Sequence, residues 1–376
     1  MTNNKKKIIT LVGTRPEIIK LSIIIKKLDK FFNHILVNSN QNFSYELNKI
    51  FFSDLKLKKP KYNLNVSTDS YINGISTLLT SFDNICEKEK PDALIILGDT
   101  NSCLGVYVAK RRKIPIFHLE AGNRCYDQRV PEEINRKIID HLADINLTYS
   151  HLSRENLIRE NFPSDRVFNI GSPLKEVFIN SKKKINSSKI LQKLKLKKKQ
   201  YILVSFHREE NLESKRNVDR FFEILTKLNN KYKIPVVVST HNRLEKKIKE
   251  IKLNRKLYKK IFFLKPFSYS DYCCLEINAK CVLSDSGTIT EDSSIMGFPA
   301  INLRETHERQ EGVEEGAVIM TGLDVSNVLD AINIIDSNSI ITKPVISYEK
   351  DNISSKVINI LSSYIDYVNL NVWKKF

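Results

Sequence analysis

No apolar run in this chain approaches the roughly 18 consecutive residues a membrane-crossing helix needs, so no such span is expected. The basic N-terminal residues are followed by an apolar stretch, IITLV, too short for a secretory core, and no small-residue cleavage site comes after it. The expectation is a cytoplasmic protein. Its six cysteines, Cys86, Cys103, Cys125, Cys273, Cys274 and Cys281, form no C-x-x-C pairs at zinc spacing. They read as reduced thiols, and Cys125 is not expected to act as a nucleophile. H-E-x-x-H, a His–Cys cluster and an aspartate-rich loop are all missing, so neither a metal nor another cofactor is expected.

Positive charge is plentiful: 61 Lys and Arg against 43 Asp and Glu give +18. The lysines are spread along the chain. The densest segment, residues 182–200, places Ile185, Ile190, Leu191, Leu194 and Leu196 among them, as a solvated amphipathic segment does. No nucleic-acid reading motif accompanies it, so nucleic acid is not an expected partner.

Short β-rich runs alternate with helix-length segments. Residues 8–12, 93–97, 115–119 and 144–149 form one set of buried strands; 201–206, 235–240, 260–264, 281–285 and 299–303 form a second. Apolar β-branched strands separated by helices imply right-handed βαβ units and parallel sheets. The expected fold is α/β, with two doubly wound Rossmann-like domains joined near residues 170–200. The boundaries are taken as 1–175 and 176–355. Ligands of such sheets bind at the carboxyl ends of the strands. There the chain reads GTRPEIIK, GDT, EAGNR, HREEN, HNR and SGTITED, polar groups that would face one another across an interdomain cleft.

In GTRPEIIK, Arg15 and Lys20 flank a helix start, which favours anions; surface cations are the plainer alternative. Ser286, Gly287 and Thr288 could cradle a diphosphate, or simply cap a helix. Asp292 could accept from ribose hydroxyls, and Arg309 could grip phosphate in bidentate fashion. Phe267 and Tyr272 could sandwich a base, though such aromatics are more often core. Asp99, Glu120 and Glu132, brought into one cleft, would raise one another's pKa and suit general acid–base work. A pairing of Glu132 with Arg136 at i, i+4 is the structural alternative.

Taken in order, GTRPE-IIK, GDT, HLEAG-R, PEE-NR, H-REEN, DSG and ER-EG resemble the non-hydrolysing UDP-N-acetylglucosamine 2-epimerase family over about residues 8–316. The resemblance implies the GT-B architecture, a UDP-sugar substrate, a homodimer, and a C-terminal helix within 356–376 returning to the first domain. It implies that Lys20, Asp99, Glu120, Glu132 and His207 form the catalytic set. Arg15, His207, Ser286, Gly287, Thr288 and Arg309 would lie at the phosphates, Phe267 and Tyr272 at the uracil, and Asp292 at the ribose. The implied chemistry is elimination of UDP to a 2-acetamido glycal and re-addition with inverted C2.

Within the family, EAGNRCYDQRVPEEINRK and DSGTITE are similar to the UDP-N-acetyl-L-fucosamine synthase branch, which epimerises UDP-2-acetamido-2,6-dideoxy-L-talose for capsule or O-antigen synthesis. Asn123 and Arg124 then stand in a loop expected to distinguish the sugars. UDP-N-acetylglucosamine is the alternative substrate. His241 and Gln41 are the places where allosteric activation by substrate would be sought.

Overall fold

The structure, a computed structural model, describes residues 5–39, 52–66, 70–251, 260–337 and 344–375, with the backbone alone of Glu209. Gln41 lies outside the described residues. The chain divides into two compact units, Met1–Ile179 with Ser347–Phe376, and Asn180–Ile346.

In the first unit, β1 (Lys7–Val12), β2 (Asn33–Asn38), β3 (Tyr62–Asn63), β4 (Ala93–Leu97), β5 (Ile116–Leu119), β6 (Ile145–Thr148) and β7 (Val167–Asn169) form a parallel sheet. Its strand order is 3-2-1-4-5-6-7. Every residue of β4, β5 and β6 is buried, because helices cover both faces of a parallel sheet. The second unit repeats the plan. There β8 (Ile202–Ser205), β9 (Val236–Ser239), β10 (Ile261–Leu264), β11 (Cys281–Ser284), β12 (Ala300–Asn302) and β13 (Ile319–Met320) run in the order 10-9-8-11-12-13.

All nine strands expected from apolar runs are present. The additional ones, β2, β3, β7 and β13, have short or half-exposed apolar stretches that give a weak pattern. Each sheet order reverses once, between β1 and β4 and between β8 and β11. At such a reversal the crossovers diverge and leave a crevice at the strands' carboxyl ends. Those ends carry GTRPE and GDT in one unit, and HREEN and DSGT in the other.

The lysine-rich stretch expected to be a linker is largely helical, at Leu174–Asn186 and Ile190–Lys193, with Ile185, Ile190 and Leu196 buried. Part of the positive charge sits at helix C-termini, where cations complement the helix dipole. Lys260 donates to the Lys233 carbonyl (2.6 Å), and Lys199 to those of Ile277 and Ala279 (both 3.0 Å). Among the described residues no helix is long and apolar enough to cross a membrane.

The helix Ile353–Asn371 packs against Arg15–Phe31 in the first unit, burying Val357, Leu361, Ile365 and Val368. Glu176 accepts from the Ser354 N–H and Oγ (2.9 Å each), satisfying a donor of its first turn. Leu361→Ala is expected to destabilise the first unit by about 3 kcal/mol in urea unfolding, the usual loss for a buried leucine. Substitution of the exposed Asn359 by Ala should stay within about 0.5 kcal/mol.

Candidate active site

Strand β1 ends in Gly13, where a Cβ would collide with the hydroxyls of Ser102 and Ser39. The turn therefore admits glycine, and the helix Arg15–Phe31 starts directly after it, with Pro16 in its first turn. Arg15 is half-buried at that start. Two residues on, Glu17 is 2% exposed and accepts from the Gly13 N–H (2.7 Å), the Thr14 hydroxyl (2.8 Å) and the Thr100 hydroxyl (2.7 Å). Glu17 thus ties the turn after β1 to GDT after β4. Burial raises its carboxyl to about 7, against the lowering effect of these donors.

The helix Pro131–Leu142 is turned opposite to ordinary amphipathic expectation. Glu133, Asn135, Arg136 and Asp140 are buried, while Ile134 and Ile138 are exposed. Its inward charges hold the neighbouring loops. Arg136 donates to Asp99 Oδ2 through Nε (3.1 Å) and Nη2 (2.6 Å), and to Glu133 through Nη1 (2.5 Å). Asn135 donates to the Asp99 carbonyl and to Asn101 (3.0 Å each). The NR of PEEINR therefore grips GDT. Burial of Glu133 is outweighed by the Cys125 N–H and by Arg136, which hold its carboxyl below the usual range. Glu132 is half-buried in the first turn of the same helix.

At the end of β5 stands Glu120, with φ +66. A non-glycine residue in this region costs roughly 1–2 kcal/mol and is a marker of functional strain. Its carboxylate lies 2.5 Å from Lys20 Nζ, and Lys20 is 2% exposed, with its ammonium 5.4 Å from the Tyr149 ring centre. Lys20 and Glu120 are thus brought together directly, while Arg136 links Asp99 to the Glu132–Glu133 turn.

Asn123 and Arg124, in the loop expected to distinguish the sugars, are both buried. Arg124 is 1% exposed, and its guanidinium donates to Asp140 (2.7 Å), to Glu160 (2.8 and 2.5 Å) and to the Asn123 carbonyl (2.7 Å). Buried Asn123 accepts from the Ser153 hydroxyl (2.9 Å). These groups hold the loop itself, because a buried guanidinium must be matched by carboxylates. Cys125 is half-buried beside Glu133, and burial raises its thiol.

In the second unit the organiser is Asp285, fully buried at the end of β11. It accepts from the backbone N–H of His207 (3.0 Å) and Arg208 (2.9 Å) and from the Asn211 amide (3.2 Å). The His207 ring Nδ1 lies 3.2 Å away. Burial would raise this carboxyl, but His207 and the N–H donors win and bring it to about 2. DSG thereby holds HREEN, the loop across the strand-order reversal, and leaves the His207 ring partly exposed.

Ser286 and Thr288 share a hydroxyl contact (3.0 Å) ahead of the helix Ile289–Met296, whose first turn carries half-buried Asp292. A Cβ on Gly287 would collide with the Glu308 carboxylate. Arg309 was expected to grip phosphate in bidentate fashion. It is 4% exposed and held by Glu291 (3.0 Å) and Glu308 (2.6 Å), so it braces the wall behind Gly287. Phe267 precedes the helix Tyr269–Asn278 and Tyr272 lies on it, both half-buried. His241 caps the helix Asn242–Glu250, its ring 6.0 Å from that of His207.

Comparison with known proteins shows the family. The family described as UDP-N-acetylglucosamine 2-epimerase matches residues 26–362. The chain belongs to that family, whose members are isomerases. It is similar to a UDP-N-acetylglucosamine 2-epimerase structure from Rickettsia bellii at 46% identity and TM-score 0.91, covering 99% of this chain and 100% of that one. A Methanocaldococcus jannaschii UDP-GlcNAc 2-epimerase structure, in complex with UDP-GlcNAc and UDP, aligns at 32% identity and TM-score 0.90, over 95% and 99% of the two chains. A curated UDP-N-acetylglucosamine 2-epimerase of that organism is 35% identical over 84% of this chain and 88% of its own length.

Glu17, Glu133, Asp140 and Asp285 were not among the site residues expected from sequence. Thr14-Arg15-Pro16-Glu17 carries the T-x-x-E signature of a helix cap, which would have flagged Glu17. Its titration is testable. The folded chain binds the Glu17 proton more tightly than the unfolded chain, so its contribution is complete below about pH 4.5 and is lost as pH rises through 7. Between pH 5 and 8 the wild type should lose about 3 kcal/mol relative to Glu17→Gln, measured as unfolding free energy in urea. Parallel curves for the two proteins would contradict the assignment.

Proposed function

We propose that the chain catalyses C2 epimerisation of UDP-2-acetamido-2,6-dideoxy-L-talose to UDP-N-acetyl-L-fucosamine. The observation that carries the reaction type is the Lys20–Glu120 pair at the end of β5, with Glu120 in a strained conformation and Asp99 on the neighbouring strand end. In this reading a carboxylate removes the C2 proton, the C1–O bond breaks, and its electron pair leaves with the β-phosphate of UDP. A 2-acetamido glycal remains. Re-addition of UDP at C1 and protonation of C2 on the opposite face give the epimer.

Two faces of one carbon require acid–base groups on both sides, which is the chemical use for more than one of Asp99, Glu120 and Glu132. Lys20 supplies positive charge beside the reacting centre. The Ser286–Thr288 turn and the start of helix Arg15–Phe31 are assigned to the diphosphate, with Arg15 and His207 beside it. Tyr272 and Phe267 are assigned to the uracil and Asp292 to the ribose. No metal or other cofactor enters the scheme.

Support for the 6-deoxy-L-talo sugar comes from the resemblance of residues 118–137 and 285–291 to the fucosamine branch. In this reading the enzyme works in the cytoplasm, as a homodimer, in capsule or O-antigen synthesis. UDP-N-acetylglucosamine is the second reading, favoured by the names of the similar proteins. Proton NMR in D₂O with each UDP-sugar decides between them. Deuterium entering C2 of the L-talo substrate alone, with a new epimer signal, is the expected result. Exchange in UDP-N-acetylglucosamine alone would move the assignment to that sugar, and exchange in neither by the folded protein would overturn the proposed reaction.

A further inference from the structure

Glu120, in its left-handed conformation, is flanked two residues away on either side by groups that converge on Asp140. His118, at i−2, places ring Nδ1 2.9 Å from Asp140 Oδ1. Gly122, at i+2, directs its N–H at the same carboxylate (3.3 and 3.2 Å). Arg124 closes the grip at 2.7 Å. The far side of the His118 ring, Nε2, lies 2.9 Å from the Gly98 carbonyl, directly before Asp99. Asp140 and His118 are both completely buried, with no access to a ligand.

On its other side the segment is equally constrained. Gly122 has φ +81, and a Cβ there would collide with the Ser153 carbonyl. Its own carbonyl accepts from Asn156 Nδ2 (3.0 Å). Burial would raise the Asp140 carboxyl, but His118 and Arg124 outweigh it and lower it. A buried carboxylate is costly to retain unless its partners are fixed around it, and here it holds the ring of His118, the Gly122 N–H and the Arg124 guanidinium at once.

We propose that Asp140 is a positioning residue for the reaction: through His118, Gly122 and Arg124 it fixes Glu120 in its strained pose, and through His118 it sets the Gly98–Asp99 turn. The inference rests on reading Glu120 as an acid–base residue. Proton transfer is steep in donor–acceptor geometry, and displacement by about 1 Å can reduce a rate roughly 100-fold. The groups assigned to the uracil, the ribose and the diphosphate are not among those that Asp140 touches, so KM is expected to change little.

The test uses the full-length enzyme and the UDP-sugar that supports C2 exchange. Asp140→Asn preserves shape but turns an amide toward either His118 or Arg124. It should lower kcat roughly 100-fold while KM stays within about two-fold, with the folded fraction confirmed by circular dichroism. His118→Asn removes one arm of the grip and should lower kcat roughly 10-fold at unchanged KM, which keeps the test open if Asp140→Asn does not fold. Loss of turnover only in proportion to unfolded protein, or a raised KM with kcat unchanged, would overturn the inference. Glu120→Gln separates the two levels. If it retains wild-type exchange, the reading of Glu120 fails and this inference with it. If it abolishes exchange while both other variants keep kcat per folded molecule, only the positioning role fails.

Discussion

An ionisable group taken out of water must find hydrogen-bond or charge partners at close range, and this requirement fixes the loops at the carboxyl ends of both sheets. Glu17 joins the turn after β1 to GDT; Arg136 joins GDT to the start of helix Pro131–Leu142; Asp140 joins that helix to the chain around Glu120. Each anchor is buried, whereas Asp99, Glu120 and Glu132 remain partly accessible. The motifs therefore have two sides, one facing chemistry and one facing the protein. Removing one member of such a buried pair typically costs 3–5 kcal/mol, so the loops are held far more firmly than hydrogen bonds to solvent could hold them.

The second unit solves the same problem with one residue. Asp285 sits at the equivalent reversal of strand order and gathers the N–H groups of the loop across it. Backbone N–H donors to a buried carboxylate fix the main chain and leave side chains free, and the His207 ring is accordingly more exposed than its anchor. In the first unit several anchors share the task, and together they join three loops.

The strands were legible in the sequence wherever short runs rich in apolar and β-branched residues alternated with helix-length segments, since a parallel sheet buries both faces. The short β3, β7 and β13 gave no such signal. The motif segments were legible as chemistry, but residue type does not reveal which side of a loop a charge occupies. Arg124 and Arg309 stand in motif loops, and the fold buries both beside carboxylates, which residue type alone does not reveal. For Glu133, Arg136 and Asp140 a signal was available. Their spacing of three and four puts them on one face of a helix, and exposed Ile134 and Ile138 occupy another. A helix whose charged stripe faces inward points to a buried network, and reading that stripe would have identified Glu133 as a partner of Arg136.

Anchored loops suit an elimination in which the same groups must act on the substrate and then on a released intermediate without losing alignment. The most direct test of that account places ¹⁸O in the bridge between C1 of the sugar and the β-phosphate. If the C1–O bond breaks, the phosphate rotates before re-addition, and the account predicts ¹⁸O scrambling into the non-bridging positions as C2 epimerises. Epimerisation with the label confined to the bridge would contradict it.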